Sequence, residues 1–194
     1  TAAFQQCSAI QSIVIPDSVT IIGTNAFFQC VSATSLTIGQ GVTTIGDFAF
    51  GKLFKIPSIT LPDSVLSFGT YAFYECVSAT SLTIGQSVTS IGVQAFWDCS
   101  RIQSITIPNS VKIINVYAFY SNRVATSLTI GQGVTTIGSF AFQYCSAIQS
   151  IVIPDSVITI GTNAFSQCVS ATSLTIGQGV TTIGQQAFQQ CSAI

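Results

Sequence analysis

Apolar side chains recur along this chain with a period of 23 residues. Ala-Phe pairs mark the period most clearly, since a pair begins at positions 3, 26, 49, 72, 95, 118, 141, 164 and 187. A period that never slips over 194 residues is typical of a solenoid, in which one short unit is copied and stacked. Such an architecture offers an extended surface.

One repeat, residues 148–170, shows which positions face the core. Polar and apolar residues alternate from Ser150 to Ile153, which predicts a strand with Ile151 and Ile153 inward and with Ser150 and Val152 outward. A single repeat cannot bury this apolar face alone. Stacking of successive repeats would bury it in continuous columns.

The second half of the repeat predicts a turn. Val157 and Ile160 supply two more inward residues, and Gly161 then turns the chain. The position of Gly161 holds Gly in seven of eight repeats and Asn in the other, and these residues best tolerate a positive φ. The Ala-Phe-x-x-Cys segment predicts a short helical turn with Phe165 and Cys168 on one side.

The repeat resembles the leucine-rich repeats of the BspA-like family, the 23-residue class of surface proteins. The shared pattern is Leu/Ile-x-x-Ile-x-Ile-Pro-x-x-Val-x-x-Ile-Gly-x-x-Ala-Phe-x-x-Cys, and it runs through residues 10–193. The resemblance implies a right-handed superhelix of eight complete coils. It also implies one parallel β-sheet on the concave side, with short helical or 3-10 turns opposite.

The resemblance also divides the chain and implies a location. Residues 1–9 end a preceding repeat, residues 10–193 form eight tandem repeats of one solenoid, and residue 194 opens a further repeat. Both ends fall inside repeats, so we expect a piece of a longer array. Members of the family are extracellular or displayed at the cell surface, and they often adhere to host proteins or to other cells.

A second period of 46 residues overlies the first. Odd repeats carry Ile-Gln-Ser-Ile and Pro-Asp-Ser, whereas even repeats carry Ala-Thr-Ser-Leu-Thr-Ile-Gly-Gln. The segment 33–46 recurs unchanged at 125–138 and 171–184. We interpret this identity as recent duplication of a two-repeat unit.

Composition excludes several classes of function. Hydrophobic residues make up 48% of the chain and charged residues only 6%, which excludes disorder. The net charge is −1 and the five basic residues are scattered, whereas contacts to nucleic-acid phosphates need clustered Lys and Arg. No apolar run approaches the roughly 18 residues of a membrane-spanning helix. We expect neither nucleic-acid binding nor membrane insertion.

The seven Cys share one repeat position, at residues 7, 30, 76, 99, 145, 168 and 191. A metal site needs ligands that converge on one point, and a linear column without any His does not converge. Stacked thiols with parallel Cβ vectors also suit a disulfide poorly. We therefore predict buried, reduced thiols that pack as small hydrophobes, with no metal and no cofactor.

Catalysis has little support in this sequence. Without His, general acid–base chemistry would fall to six carboxylates, which are Asp17, Asp47, Asp63, Glu75, Asp98 and Asp155. Three of them share one turn position after Pro, where a solvated turn selects Asp. We expect that the chain is not an enzyme.

Two surfaces are candidate sites. The first is an uncharged Ser-x-Thr array on the outward side of the predicted sheet, formed by Ser35, Thr37, Ser58, Thr60, Ser81, Thr83, Ser104, Thr106, Ser127, Thr129, Ser173 and Thr175. The second is an aromatic and basic patch in the middle repeats, formed by Tyr71, Tyr74, Trp97, Arg101, Tyr117, Tyr120 and Arg123. Tyr, Trp and Arg are enriched at binding hot spots, although variable surface positions also drift without function.

Three functions compete for these surfaces. The favoured hypothesis is a non-catalytic adhesion or recognition array that binds a protein or another macromolecule. The alternatives are a structural stalk or fibre that associates end to end, and an ice-binding protein whose hydroxyl ladder matches a water lattice.

Overall fold

The computed structural model describes residues 2–194 and shows a parallel β-solenoid. Within those residues there are sixteen strands and no helix. The odd-numbered strands have three or four residues: β1 Ser12–Ile15, β3 Ser35–Ile38, β5 Ser58–Thr60, β7 Ser81–Thr83, β9 Ser104–Thr106, β11 Ser127–Thr129, β13 Ser150–Ile153 and β15 Ser173–Ile176. The even-numbered strands have two: β2 Ile21–Ile22, β4 Thr44–Ile45, β6 Ser67–Phe68, β8 Ser90–Ile91, β10 Ile113–Ile114, β12 Thr136–Ile137, β14 Thr159–Ile160 and β16 Thr182–Ile183.

Every strand pair is parallel and joins equivalent residues of successive repeats. In β1 and β3, for example, Ser12 lies opposite Ser35 and Ile15 opposite Ile38. This register confirms the predicted leucine-rich-repeat solenoid with a parallel sheet. The handedness of the superhelix, its concave side and the repeat boundaries stay predictions.

The number of sheets differs from the prediction of a single one. Across residues 2–194 the continuous sheet has eight strands and consists of the even-numbered, two-residue strands. The odd-numbered strands pair only two by two, as β1–β3, β5–β7, β9–β11 and β13–β15. The pattern analysis missed the continuous sheet because two residues per strand are too few to show an alternation.

The Ala-Phe segment is a chain of β-turns, so the prediction of a helical turn is wrong. The amide of Ala26 donates to the carbonyl of Gly23 at 3.2 Å, and the amide of Cys30 donates to that of Phe27 at 3.2 Å. The third residues of these turns, Asn25 and Gln29, have φ values of 57° and 61°, as a type II turn requires. Other amides of the segment, such as that of Phe27, donate to backbone carbonyls of the next coil. In a helix these amides would bond within the segment.

The glycine after the even-numbered strand is required by close approach. No described glycine has a positive φ, and the left-handed residue is instead Asn163, with φ 53°. A Cβ on Gly161 would lie 2.7 Å from the carbonyl carbon of Gly138 in the coil below. The explanation of this glycine by positive φ is therefore wrong, and the coil spacing is the constraint.

Asn115 shows how one repeat tolerates a side chain at that position. Its backbone amide donates to the carbonyl of Ile91 at 3.2 Å, whereas Gly138 makes the equivalent bond to Ile114 at 2.7 Å. The Asn115 side-chain Nδ2 donates to the same Ile91 carbonyl at 2.7 Å. The side-chain bond offsets the weaker backbone bond.

Phenylalanine rings form the centre of the core. The second residues of the Ala-Phe pairs stack along the solenoid axis, with ring centroids 5.6 Å apart for Phe73 and Phe96 and 5.2 Å apart for Phe96 and Phe119. The three rings are fully buried. The rings are buried from Phe27 to Phe165, whereas Phe4 in the first coil is 46% exposed and Phe188 in the last is partly buried.

The cysteine column has a hydrogen-bonding role beyond packing. The Cys99 thiol donates to the carbonyl of Phe73 at 3.1 Å, and the Cys145 thiol donates to that of Phe119 at 3.3 Å. Burial raises the pKa of Cys145 to about 12, so its thiol keeps the proton that it donates. Asn122 replaces Cys once and donates to Phe96 at 2.9 Å, but its Oδ1 is buried without a partner.

The 46-residue alternation has a structural basis as well as a history of duplication. Asp155 of an odd repeat accepts a hydrogen bond from the Gln178 amide of the next coil at 2.7 Å. Ser156 donates to the Val134 carbonyl of the coil below at 2.7 Å. A Cβ on Gly177 would lie 2.6 Å from the Asp155 backbone nitrogen. Each Pro-Asp turn therefore fits under a Gly-Gln turn, and the two repeat types are not interchangeable.

The substitution Gly161→Ala tests the close-approach explanation. We expect it to lower the free energy of unfolding by about 1–3 kcal/mol, because the new methyl group must push two coils apart. Urea unfolding followed by circular dichroism measures the change. Gln149→Ala, on an exposed residue, is the control. Equal stability of the two variants would contradict the explanation.

Thiol labelling tests the state of the cysteine column. All seven Cys are free, five are buried, and Cys7 and Cys191 are half-buried. A thiol reagent should react quickly with two groups in the native protein, slowly with the other five, and with seven after unfolding without reductant. A smaller final count would reveal disulfides, with pairs 7–30, 76–99, 145–168 and 168–191 the first to examine.

Candidate functional site

The Ser-x-Thr residues predicted as a sheet surface lie in register on the odd-numbered strands. Eleven of the twelve are exposed and Ser58 is half-buried. Two of their hydroxyls donate to the equivalent serine of the neighbouring strand, Ser35 to Ser12 at 2.8 Å and Ser173 to Ser150 at 2.8 Å. Part of the hydrogen-bonding capacity of these hydroxyls is thus used within the face itself.

This face is interrupted at regular intervals. In the part of the chain that the structure describes, no ladder joins β3 to β5, β7 to β9 or β11 to β13. A groove of about 280 Å³ lies at the first break, between Thr37 on β3 and Thr60 on β5. The lattice match required for ice binding depends on an even, continuous array, so these breaks weigh against that alternative.

The aromatic residues form a second surface on the turns that follow the even-numbered strands. Five rings predicted as a patch contact one another in a larger set, which we call the aromatic ribbon: Phe28, Phe48, Tyr71, Tyr74, Trp97, Tyr117, Tyr120, Phe140 and Tyr144. Neighbouring ring centroids lie 4.6 Å apart at the closest, for Tyr117 and Phe140, and 6.1 Å apart at the widest, for Phe28 and Tyr74. All nine side chains are half-buried.

Four ribbon residues occupy the left-handed position of the first type II turn of their repeats, and Tyr144 occupies that of the second, with φ 61°. Phe48, Tyr71, Tyr117 and Phe140 have φ values of 56°, 57°, 57° and 61°. Other repeats place Asn or Gln there, and Asn is several-fold enriched at positive φ. A left-handed backbone costs about 1 kcal/mol for a residue other than Gly. The aromatic residues therefore stand where local conformation does not favour them.

Trp97 completes the ribbon where this column lacks a ring. The fourth complete repeat has Gln94 at the left-handed position. The Trp97 ring, three residues later, lies 6.0 Å from Tyr71 and 5.9 Å from Tyr117. The stack therefore continues through a different position of the repeat.

Ring stacking decides which parts of the aromatic side chains reach the surface. Tyr117 and Phe140 are within 7° of parallel, and Phe48 and Tyr71 within 17°. Neighbours therefore cover much of the ring faces along the solenoid axis, and ring edges remain for contact from outside. Such a surface is apolar and flat, with phenol hydroxyls interspersed.

The basic residues of the predicted patch are placed unequally. Arg123 Nε donates to the Ser121 hydroxyl at 2.9 Å, next to Tyr120. Arg101 is exposed, and within residues 2–194 it forms no cation–π pair with an aromatic ring. Lys52 lies outside the predicted patch, yet its Nζ lies 5.5 Å from the Tyr74 ring centre and 3.7 Å from the Glu75 carboxylate.

The sequence analysis also left Phe28, Phe48, Phe140 and Glu75 outside the patch. Phe48 and Phe140 occupy the same repeat position as Tyr71 and Tyr117. An alignment of the repeats by column would have included both. Glu75 carries no such signal, since it follows Tyr74 at a position that varies freely among repeats.

The carboxylates do not form a reactive centre. Asp17, Asp63 and Asp155 each accept a backbone amide of the next coil at 2.7 Å. Among the described residues, no group of three or more His, Cys, Asp or Glu side chains could hold a metal ion. The same residues include no helix long and apolar enough to cross a membrane.

Comparison with solved structures supports the fold. A leucine-rich cell surface protein of Faecalibacterium prausnitzii is 29% identical with a TM-score of 0.67, and the match covers 95% of this chain and 59% of that one. A Treponema pallidum leucine-rich repeat protein is 25% identical with a TM-score of 0.69, over 95% and 78%. A Bacteroides ovatus leucine-rich repeat protein is 22% identical with a TM-score of 0.61, over 99% and 67%.

The family follows from a comparison at the level of sequence. No curated protein matches the chain. A family model described as a BspA type leucine rich repeat region matches residues 1–124 and 112–194, so the two matches together span the whole sequence. This chain belongs to the BspA-type leucine-rich repeat family.

Proposed function

We propose that this chain is a non-catalytic recognition array at a cell surface or outside the cell, and that its aromatic ribbon contacts a macromolecule, most directly a protein. The observation that carries the proposal is the ribbon itself. Nine half-buried rings in mutual contact supply the Tyr and Trp side chains that dominate binding energy at protein interfaces.

The backbone supports a selected role for the ribbon. Phe48, Tyr71, Tyr117 and Phe140 hold left-handed conformations where the same turn accepts Asn or Gln in other repeats. Asn is better suited than an aromatic residue to this conformation, so the presence of rings in four repeats indicates a role other than turn formation. Drift at neutral surface positions would not gather aromatic residues in adjacent repeats and in one contiguous stack.

The site chemistry and the family support a non-catalytic role. Leucine-rich-repeat solenoids act generally as binding scaffolds, and a broad strip without a deep cleft suits a macromolecule better than a small substrate. The similar Faecalibacterium protein is described as a cell surface protein, which supports the proposed location. The ligand would be recognised by contact area and hydrogen bonds, because the charge is close to zero.

Binding measurements with two matched variants test this proposal. The purified chain is applied to whole cells and to immobilised extracellular matrix proteins. The triple variant Tyr74→Ala, Trp97→Ala and Tyr120→Ala should reduce binding at least about tenfold, since hot-spot residues contribute 2 kcal/mol or more each. The control is Thr37→Ala, Thr83→Ala and Thr129→Ala on the Ser-x-Thr face, which should bind like the unmodified chain.

Other results would point elsewhere. Loss of binding in the threonine variant alone would transfer the site to the Ser-x-Thr face. Absence of binding, together with end-to-end assembly that grows with concentration in light scattering, would support the stalk. Ice crystals reshaped by the unmodified chain and not by Thr83→Tyr would support ice binding.

The salt dependence of binding is a separate prediction. Exposed charges are few, so electrostatic attraction contributes little and its screening by salt removes little. We expect the dissociation constant to change by less than about threefold between low and high ionic strength. A steep decrease in affinity with salt would contradict a contact made by the aromatic ribbon.

A further inference from the structure

The aromatic ribbon contains a cavity with an acidic residue at its wall. The cavity has a volume of about 310 Å³ and is lined by Phe48, Tyr71, Tyr74, Glu75 and Trp97. We propose that this cavity binds an organic cation of the trimethylammonium class, held by the aromatic rings and the Glu75 carboxylate. The inference does not rest on the macromolecular contact proposed above.

The ring orientations are those of an aromatic cage. The Tyr74 ring plane lies 70° from that of Tyr71 and 86° from that of Phe48. The Tyr71 and Trp97 rings are 25° from parallel and 6.0 Å apart, a wider step than the 4.8 Å between Phe48 and Tyr71. Rings in two orientations therefore border the cavity. A ring that is turned out of the stack can attract a quaternary ammonium group, because ring faces carry negative potential.

The backbone beneath Tyr74 is adapted to the position of its ring. A Cβ on Gly51 would lie 2.7 Å and 2.8 Å from Cδ1 and Cε1 of Tyr74 and 3.3 Å from Cδ2 of Phe28. The equivalent position holds a side chain in the other complete repeats, including Trp97 and Tyr120. The missing side chain thus gives the Tyr74 ring room to lie over the coil below and to form one side of the cavity.

The chain's own ammonium group shows that this place favours a cation. Lys52 Nζ lies 5.5 Å from the Tyr74 ring centre and 3.7 Å from Glu75 Oε2. Desolvation acts to lower the pKa of Lys52, but its interactions with Tyr74 and Glu75 outweigh this effect and raise the pKa. Lys52 stands beside the cavity and does not line it, so it shares Tyr74 and Glu75 with a bound cation.

The lining residues discriminate among cations. A metal ion such as Ca²⁺ needs six or more oxygen ligands, and the cavity offers one carboxylate. A trimethylammonium group has no N–H that needs an acceptor and carries a diffuse charge, so it can be enclosed by rings. The four rings therefore select the methylated cation, and Glu75 provides the charge complement.

Trp97 is the single tryptophan of the chain and lines the cavity, so its fluorescence reports occupation directly. Choline chloride is titrated into the unmodified chain against sodium chloride of equal ionic strength. We expect a saturable change in Trp97 emission with a dissociation constant of about 1–10 mM, typical of a few kcal/mol of binding energy. The uncharged isostere 3,3-dimethylbutan-1-ol should bind at least about fivefold more weakly, since it lacks the cation–π attraction.

Three variants separate the contributions to binding. Glu75→Gln should weaken choline binding about threefold to tenfold through loss of the charge complement. Lys52→Gln should strengthen choline binding, because it removes the competing ammonium group. Asp155→Asn is the control for loss of a negative charge elsewhere, and Asn109 already makes the equivalent bond to the Gln132 amide at 2.8 Å. It should bind choline unchanged.

Several outcomes would overturn the inference. Equal affinity for choline and its uncharged isostere would mean that the cavity is merely apolar. A fluorescence change that does not saturate, or an equal loss in Glu75→Gln and Asp155→Asn, would exclude a specific cation site. Thermal unfolding of each variant confirms that it folds. If the chain binds choline but no macromolecule, this inference stands and the proposed function is rejected. If it binds a macromolecule but not choline, the proposed function stands and this inference is rejected.

Discussion

The structure depends on backbone hydrogen bonds that join each coil to the next in a fixed register. Phe27 donates its amide to Ala49 at 2.8 Å, and Phe119 donates to Ala141 at 2.8 Å. Both bonds span 22 residues, and the strand pairs join residues 23 apart. This register places equivalent residues of successive coils next to one another. The phenylalanine core, the thiol column and the aromatic ribbon are all consequences of it.

Close coil spacing then restricts which residues can stand at each turn. Gly161 and Gly177 lie where a Cβ would overlap the backbone of the coil below. Side chains at other turn positions bond across the same short gap, as Asp155 does to the Gln178 amide and Ser156 to the Val134 carbonyl. The two repeat types are thus complementary partners, and this complementarity explains the sequence alternation better than duplication alone.

Most of the fold could be predicted from the sequence, whereas much of the candidate site could not. The period and the alternation from Ser150 to Ile153 report directly on stacking and burial, so the solenoid and its core followed. Two-residue strands such as β14 carry no periodic signal, and the left-handed φ of Asn163 is invisible in a pattern of apolar residues. The ribbon and its cavity arise from contacts between repeats, which become apparent only when Phe48 and Tyr71 are placed in one column.

The left-handed turn position that carries most of the aromatic ribbon also determines how such a surface can change with time. Its backbone conformation is the same for Asn25, Gln94 and Tyr117, so a single codon change can add or remove a ring without any rearrangement of the fold. The extent of the aromatic surface is thereby separated from the architecture that carries it. The backbone strain changes little in such a substitution, because Gln94 and Gln186 already hold the left-handed conformation without a ring. A lineage of these repeats could therefore explore new partners by substitution at one position per coil.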